Sequence, residues 1–147
     1  MTFPWLTNQK RFKYVIGSPE DPMMIRYRLV ETRWGELYMH HFLRSDVDRD
    51  LHDHPWDFIS FILTTGYWED RPRYPCNLLF CRGHEGVHEV YTVWHPPLSF
   101  NRKRAEESHR VDLPTGRTVW SLIWVSPKRR LWGFHTRHGW VEGEGQQ

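Results

Sequence analysis

Short runs of alternating apolar and polar residues fill the chain from residue 25 onward. The segments IRYRLVE (25–31) and GELYMHHFLR (35–44) alternate in this way, and a turn at Arg33–Gly35 separates them. A period of two is typical of half-buried β-strands, and no long segment carries the apolar stripe of an amphipathic helix. The pattern therefore predicts a chain built of strands.

The run FISFILTTGYWE (58–69) is apolar on both faces until Thr65–Gly66, which predicts a buried strand that ends in a turn. Further strand candidates are NLLFC, HEVYTVW, SFNRK, HRVDL, TVWSLIWVS and LWGFHT. Many short strands in one small domain are typical of a sandwich or barrel. We expect an all-β fold with a single barrel over residues 25–141, an irregular N-terminal arm (1–24) packed on it, and a frayed tail (142–147).

Composition and charge exclude several classes of protein. The 147 residues suffice for one domain, and nine Trp, eight Phe and six Tyr exclude a disordered chain. A net charge of +2 from interspersed residues predicts no dedicated nucleic-acid binding. No apolar stretch is long enough to span a membrane, and the N-terminus lacks the apolar segment of a signal peptide, so we expect a cytoplasmic protein. Only two cysteines argue against a disulfide scaffold.

Two histidines stand one residue apart in LHDHPWDF (51–58), directly before the apolar run. Residues i and i+2 of a strand point to the same side, so we expect His52 and His54 to project together and Asp53 to face away. Two imidazoles form half of a site for a first-row metal. The best candidate for a third ligand is His109, which begins another predicted strand. A triad of nitrogens would leave positions open for water, substrate or dioxygen, as a catalytic metal requires.

The segments HDHPWDFISFILTTG and RAEESHRV resemble the two signature motifs of the cupin superfamily. His52, His54 and Gly66 match the first motif, and His109, followed by Arg-Val, matches the second. The pairing of LHDHPW with a late WGF and GW (132–140) is also similar to small bacterial and phage cupin-like proteins. The resemblance spans residues 38–140. It implies a cupin-like β-barrel, a double-stranded β-helix or jelly roll, around one divalent metal ion.

Two positions depart from the cupin motifs. The glutamate of the first motif would fall near Phe58 or Ile59, and neither side chain binds metal. We therefore keep Asp57 as a candidate fourth ligand or hydrogen-bond acceptor, although strict alternation turns it away from His54 unless Pro55 interrupts the strand. Glu106 stands where the second motif has glycine, so the turn before the third histidine must differ.

Several residues are candidates for binding a small polar or anionic substrate. Arginine binds carboxylate or phosphate with two parallel hydrogen bonds, and aromatic walls suit rings and aliphatic stems. The alternative interpretation is that these residues are solvated arginines and ordinary core side chains. The candidates are Arg26, Arg28, Arg102, His40 and Trp56.

Four soft or borderline ligands, Cys76, Cys81, His84 and His88, lie within thirteen residues and suggest a second site, for zinc. The spacing between the cysteines is wider than in most zinc knuckles. We favour the other interpretation, a buried cysteine pair with two loop histidines.

The triad and the resemblance together predict a metal-dependent cupin enzyme that acts on a small polar or anionic molecule. We favour an Fe(II) dioxygenase, because a nitrogen-only triad has room for both substrate and dioxygen. Zinc, manganese or nickel would instead indicate an isomerase, epimerase or lyase. The absence of the expected glutamate leaves open a non-catalytic cupin that binds metal and ligand. Cupins often pair through edge strands, so we expect a homodimer.

Overall fold

The computed structural model describes residues 12–46, 50–73 and 90–143. These residues form twelve strands and no helix, and they therefore contain no helix that could cross a membrane. The all-β prediction is confirmed. The strands are β1 (Lys13–Gly17), β2 (Pro22–Thr32), β3 (Gly35–Phe42), β4 (Leu51–His52), β5 (Phe58–Ile62), β6 (Tyr67–Pro72), β7 (Val90–His95), β8 (Phe100–Lys103), β9 (Arg110–Asp112), β10 (Val119–Val125), β11 (Gly133–Thr136) and β12 (Gly139–Glu142).

The strands build two antiparallel layers. One layer is a six-stranded sheet in the order β1-β2-β3-β10-β5-β8. The other layer contains two three-stranded sheets, β12-β11-β4 and β7-β6-β9, which an isolated bridge between His52 and His109 joins edge to edge. Inner side chains of both layers fill the space between them, as in a jelly roll.

Residues 13–17 differ from the expected irregular arm, because they form β1 at the edge of the large sheet. The strand pairs with β2, and Tyr14 lies opposite Arg26. Its side chains alternate between partly buried and exposed, and Tyr14 packs against the core. This alternation suits a strand that covers one edge of a sheet.

The predicted strand that begins at Phe58 is buried on one face only. Ile59, which points outward from β5, is 44% exposed. This is the usual arrangement of an antiparallel sheet with one face on the core and the other in water. Gly66 ends the connection to β6 with a φ of 85°, and a Cβ there would lie 2.5 Å from the backbone oxygen of His95. The turn therefore requires glycine and carries the chain to the opposite layer.

Polar side chains interrupt the core of the large sheet. In β10, Ser121 lies between the buried apolar residues Val119 and Ile123. In β3, His40 lies directly opposite Ser121. In β5, Ser60 lies between two buried apolar residues in the same way. The inner face of the large sheet therefore carries polar side chains among its apolar ones.

Candidate metal centre

Three histidines, His52, His54 and His109, meet between the two layers. One ring nitrogen of each lies within 4.8 Å of the others. The Nε2 atoms of His54 and His109 are 2.8 Å apart. His109 is buried and the other two are partly buried. The structure thus brings together the three residues that the sequence pattern selects.

Backbone pairing explains why these side chains converge. The N–H of His52 donates to the carbonyl of His109 and the reverse bond also forms, both at 2.9 Å. Residues directly opposed on antiparallel strands project their side chains to the same face. His54 follows two residues later, and its N–H donates to the carbonyl of Ala105 at 3.0 Å. The cluster is therefore assembled from two backbone segments in fixed register.

A buried carboxylate lies behind each of two histidines. The Nδ1 of His109 lies 2.5 Å from Glu69 Oε1, and the Nδ1 of His52 lies 3.5 Å from Asp46 Oδ2. Asp46 is itself fixed by the N–H of Val111, which donates to its Oδ1 at 2.6 Å. A histidine that binds metal usually donates its other ring N–H to a carboxylate, which fixes the ring orientation and leaves the remaining nitrogen for the metal.

Glu69 is fully buried, with 0% of its surface exposed, and the sequence analysis missed it. Its carboxylate accepts from His95 Nε2 at 2.8 Å and lies 3.0 Å from Lys103 Nζ and 2.6 Å from Arg71 Nη2. Burial alone would raise the pKa of this carboxyl, but His109, His95 and Lys103 surround it with hydrogen bonds and positive charge and hold it well below its usual range. Glu69 is therefore ionised.

The alternation after Gly66 was the available signal for Glu69. Tyr67 and Glu69 face the interior of the barrel, whereas Trp68 is exposed. A glutamate at an inward position is unusual and indicates a buried charge with partners. Burial also lowers the pKa of His109, which favours the neutral imidazole that a metal ion requires.

Asp53 faces away from the histidine cluster, as alternation predicts, and anchors the C-terminal hairpin. It accepts hydrogen bonds from the Gly133 N–H at 2.7 Å, Trp140 Nε1 at 3.0 Å and His135 Nε2 at 3.1 Å. Arg130 Nη1 lies 2.8 Å from the same carboxylate. These contacts join the segment LHDHPW to the late WGF and GW, since the first carries the acceptor and the others the donors.

Asp57 does not join the histidine cluster. Its carboxylate accepts from the Ala105 N–H at 2.8 Å and pairs with Arg129 at 2.7 Å near the surface. Pro55 does not redirect Asp57 towards His54, so this candidate fourth ligand lies away from the cluster. The carboxylates that do reach histidines of the cluster are Glu69, from β6, and Asp46.

A separate cavity of about 440 Å³ has Arg26, Arg28 and Trp56 in its wall, and none of the three histidines lines it. The Trp56 ring centroid is 6.4 Å from that of His54, so this side chain touches both places. His40 lies behind Arg26, whose Nε donates to His40 Nε2 at 3.0 Å. We call the 440 Å³ cavity the arginine cavity.

Arg102, the remaining substrate candidate, is exposed on β8. Its neighbours Asn101 and Lys103 occupy the inward positions of that strand, so alternation turns Arg102 outward. The structure does not bring it to the cluster or to the arginine cavity. Cys76, Cys81, His84 and His88, the second candidate site, lie outside the described residues.

No protein-family model and no curated protein matches this chain, but solved structures do. A cupin-2 domain protein from Rhodospirillum rubrum, Rru_A2000, aligns with a TM-score of 0.58 and 14% identity over 88% of this chain and 80% of that one. The polyketide cyclase RemF from Streptomyces resistomycificus aligns with 0.57 and 12% over 86% and 84%. Hydroxypropylphosphonic acid epoxidase from S. wedmorenis aligns with 0.54 and 12% over 78% and 55%.

This chain therefore spans about half the length of the epoxidase. Structures of that enzyme, HppE, with Fe(II) are also among the matches. Likeness at such low identity concerns the fold, and it agrees with the two antiparallel layers described above. The chain has the cupin fold, as its two motifs predicted.

Proposed function

We propose that this chain is a metal-dependent cupin enzyme that acts on a small polar or anionic molecule, with one divalent metal held by His52, His54 and His109. The observation that carries the proposal is the convergence of three imidazole nitrogens within 4.8 Å inside the barrel. Three protein ligands leave part of the coordination shell open, which distinguishes catalytic from structural sites.

The donor set suits a first-row divalent metal. Imidazole nitrogens bind iron, nickel and zinc well, and burial favours the neutral form of His109 that such binding needs. A bound metal would supply Lewis acidity and, in the case of iron, a place for dioxygen to react. The chain's own residues set the remaining conditions at this site.

Carboxylates fix the protonation of the ligands. Glu69 accepts from His109 Nδ1, which leaves the lone pair of His109 Nε2 directed into the cluster, and Asp46 occupies the equivalent position behind His52. Apolar rings shield the cluster from water on one side, since Phe58 contacts His54 edge to face at a centroid distance of 5.1 Å. Trp56 connects the cluster with the arginine cavity, where a substrate would enter.

Within this class we favour Fe(II) dioxygenase-type chemistry. A shell of nitrogens with open positions can accept both a substrate and dioxygen. The likeness in fold to HppE, an enzyme solved with Fe(II), supports this choice by analogy.

Lewis-acid chemistry, as in an isomerase or lyase, is the second candidate. The likeness in fold to a DMSP lyase and to a putative mannose-6-phosphate isomerase supports it, again by analogy. The two candidates differ in the metal they need, so the identity of the metal distinguishes them.

Elemental analysis of protein purified without a histidine tag tests the proposal. We expect about one equivalent of metal in the wild type, little in His52→Ala/His109→Ala, and full retention in His138→Ala, which removes an exposed histidine of the β11–β12 turn. Iron would support the dioxygenase, and zinc, manganese or nickel the Lewis acid. Retention by the double variant, or no uptake by the wild type after reconstitution with each metal, would overturn the proposed site.

A further inference from the structure

Arg26 is a buried cation without a carboxylate partner. Only 7% of its surface is exposed. Among the described residues, no carboxylate oxygen lies within 4.0 Å of its guanidinium. The nearby Glu36 is occupied by Arg28, whose Nε lies 3.0 Å away, and by the Tyr38 hydroxyl. Glu36 therefore acts on Arg26 only through longer-range attraction, and Arg26 has no direct ion pair among the described residues.

His40, the one hydrogen-bonded partner of Arg26 within the described ranges, does not reduce this charge. The Arg26 Nε donates to His40 Nε2, so that nitrogen carries no proton. Burial, and then the charge of Arg26, lower the pKa of His40 well below its usual 6.5, and the ring is neutral. Burial lowers the pKa of Arg26 only to about 10, so the guanidinium remains charged at neutral pH.

Arg26 belongs to the wall of the arginine cavity. Its guanidinium lies 5.1 Å from the Tyr38 ring centroid and 5.7 Å from that of Trp56, so aromatic faces flank it. The other charged residues of the lining are Arg28, Arg33, Lys128 and Glu36. Cations thus outnumber carboxylates by four to one in a space large enough for a small molecule.

We propose that the arginine cavity binds the oxyanion group of a small molecule, a carboxylate or a phosphoryl group, with Arg26 as the principal donor. A guanidinium presents two parallel N–H groups at the spacing of such oxygens. Tyr38 and Trp56 provide flat apolar surface for the rest of the molecule. The role of this cavity as the substrate site of the metal centre rests on the proposed function. Trp56, which lines the cavity and contacts His54, is the link between the two places. Anion binding itself requires no metal.

Calorimetric titration of the metal-free full chain tests the inference. The probes are benzoate, phenyl phosphate and the neutral benzyl alcohol. We expect both anions to bind and the alcohol not to, and the tighter anion identifies the group that the cavity prefers. Arg26→Met should weaken anion binding about tenfold or more, because a charge-assisted hydrogen bond is lost. Lys128→Gln, at the exposed rim, should weaken it by only about threefold.

Arg117→Gln is the matched control, since it removes one positive charge from the exposed turn between β9 and β10. It should leave the affinity unchanged. Equal weakening by Arg117→Gln and Lys128→Gln would indicate non-specific attraction and overturn the inference, and this comparison holds even if Arg26→Met does not fold. Absence of anion binding by the wild type would overturn it as well. If the protein binds metal but no anion, the proposed function stands and the anion site is refuted. If it binds anion but no metal, the anion site stands and the proposed function is refuted.

Discussion

Two buried polar clusters lie inside this barrel, and they differ in the balance of their charges. In the cluster around Glu69, the carboxylate is surrounded by Lys103, Arg71, His95 and His109. In the cluster around Arg26, the cation has a neutral histidine and aromatic rings as neighbours. The first cluster is complete without any further molecule, whereas the second lacks an anion.

The difference in balance corresponds to a difference in role. A fully paired network in a low-dielectric interior holds its members rigidly, because each loses several partners if it moves. Glu69 on β6 connects in this way to Lys103 on β8, which belongs to the opposite layer, and to His109. An unpaired buried charge instead lowers stability and is satisfied only when a ligand enters. Positioning and binding thus require opposite electrostatic arrangements in one small barrel.

Removal of Glu69 should have the largest effect on stability. In Glu69→Leu the buried Lys103 loses its carboxylate, and we expect the free energy of unfolding to fall by about 3–5 kcal/mol. Urea unfolding of the metal-free protein, followed by tryptophan fluorescence, measures it. Metal-free protein is needed because a bound metal would add its own stabilisation.

Two companion variants sharpen this measurement. Glu106→Gln removes a carboxylate from an exposed pair with Arg129 and should change the unfolding midpoint little. Glu69→Leu/Lys103→Met removes both buried charges and should recover part of the loss. Equal losses in Glu69→Leu and Glu106→Gln would show that the buried network has no special importance.

Acidification should destabilise the Arg26 cluster through His40. The pKa of His40 is lowered in the folded state, so below about pH 6.5 the unfolded chain binds a proton there that the folded chain does not. The contribution of neutral His40 to the free energy of unfolding is therefore complete above the pKa of this histidine in the unfolded chain. It falls as the pH decreases, with a slope that approaches about 1.4 kcal/mol per pH unit for one proton.

The free energy of unfolding of wild type and of His40→Gln is measured from pH 7 to pH 5. The difference between the two curves gives the contribution of the His40 proton. The variant should show the shallower dependence, because its amide does not titrate. His138→Gln should keep the wild-type dependence, since this histidine is exposed. Parallel curves for wild type and His40→Gln would contradict the neutral, buried state of His40.

Local pattern was sufficient for part of this architecture. The i, i+2 spacing placed His52 and His54 on one face, which needs only strand periodicity. The resemblance to the second cupin motif added His109. The all-β class followed in the same way from many short alternating runs. The same rule correctly predicted that Asp53 faces away from the cluster.

Long-range register was not available from the sequence. Glu69 reaches His109 only because the turn at Gly66 sends β6 to the layer that also contains β9. Asp57 was a candidate because it is near in sequence, whereas the carboxylates near in space, Glu69 and Asp46, come from other segments of the chain. Arg26 and Arg102 looked equivalent in the sequence, yet the phase of each strand puts one inside and the other outside.

Arg26→Met should have the smallest effect of these changes on stability, and it separates the two clusters most directly. If Arg26 were a structural cation like Lys103, its removal would lower the free energy of unfolding by several kcal/mol. Because no carboxylate forms an ion pair with it, we expect a change of less than about 1 kcal/mol. The loss of one hydrogen bond to His40 is offset by the removal of a buried charge that has no direct partner. Urea unfolding in an anion-poor buffer measures this, and saturating phenyl phosphate should then stabilise the wild type but not the variant. A loss as large as that of Glu69→Leu would place both clusters in the same structural role.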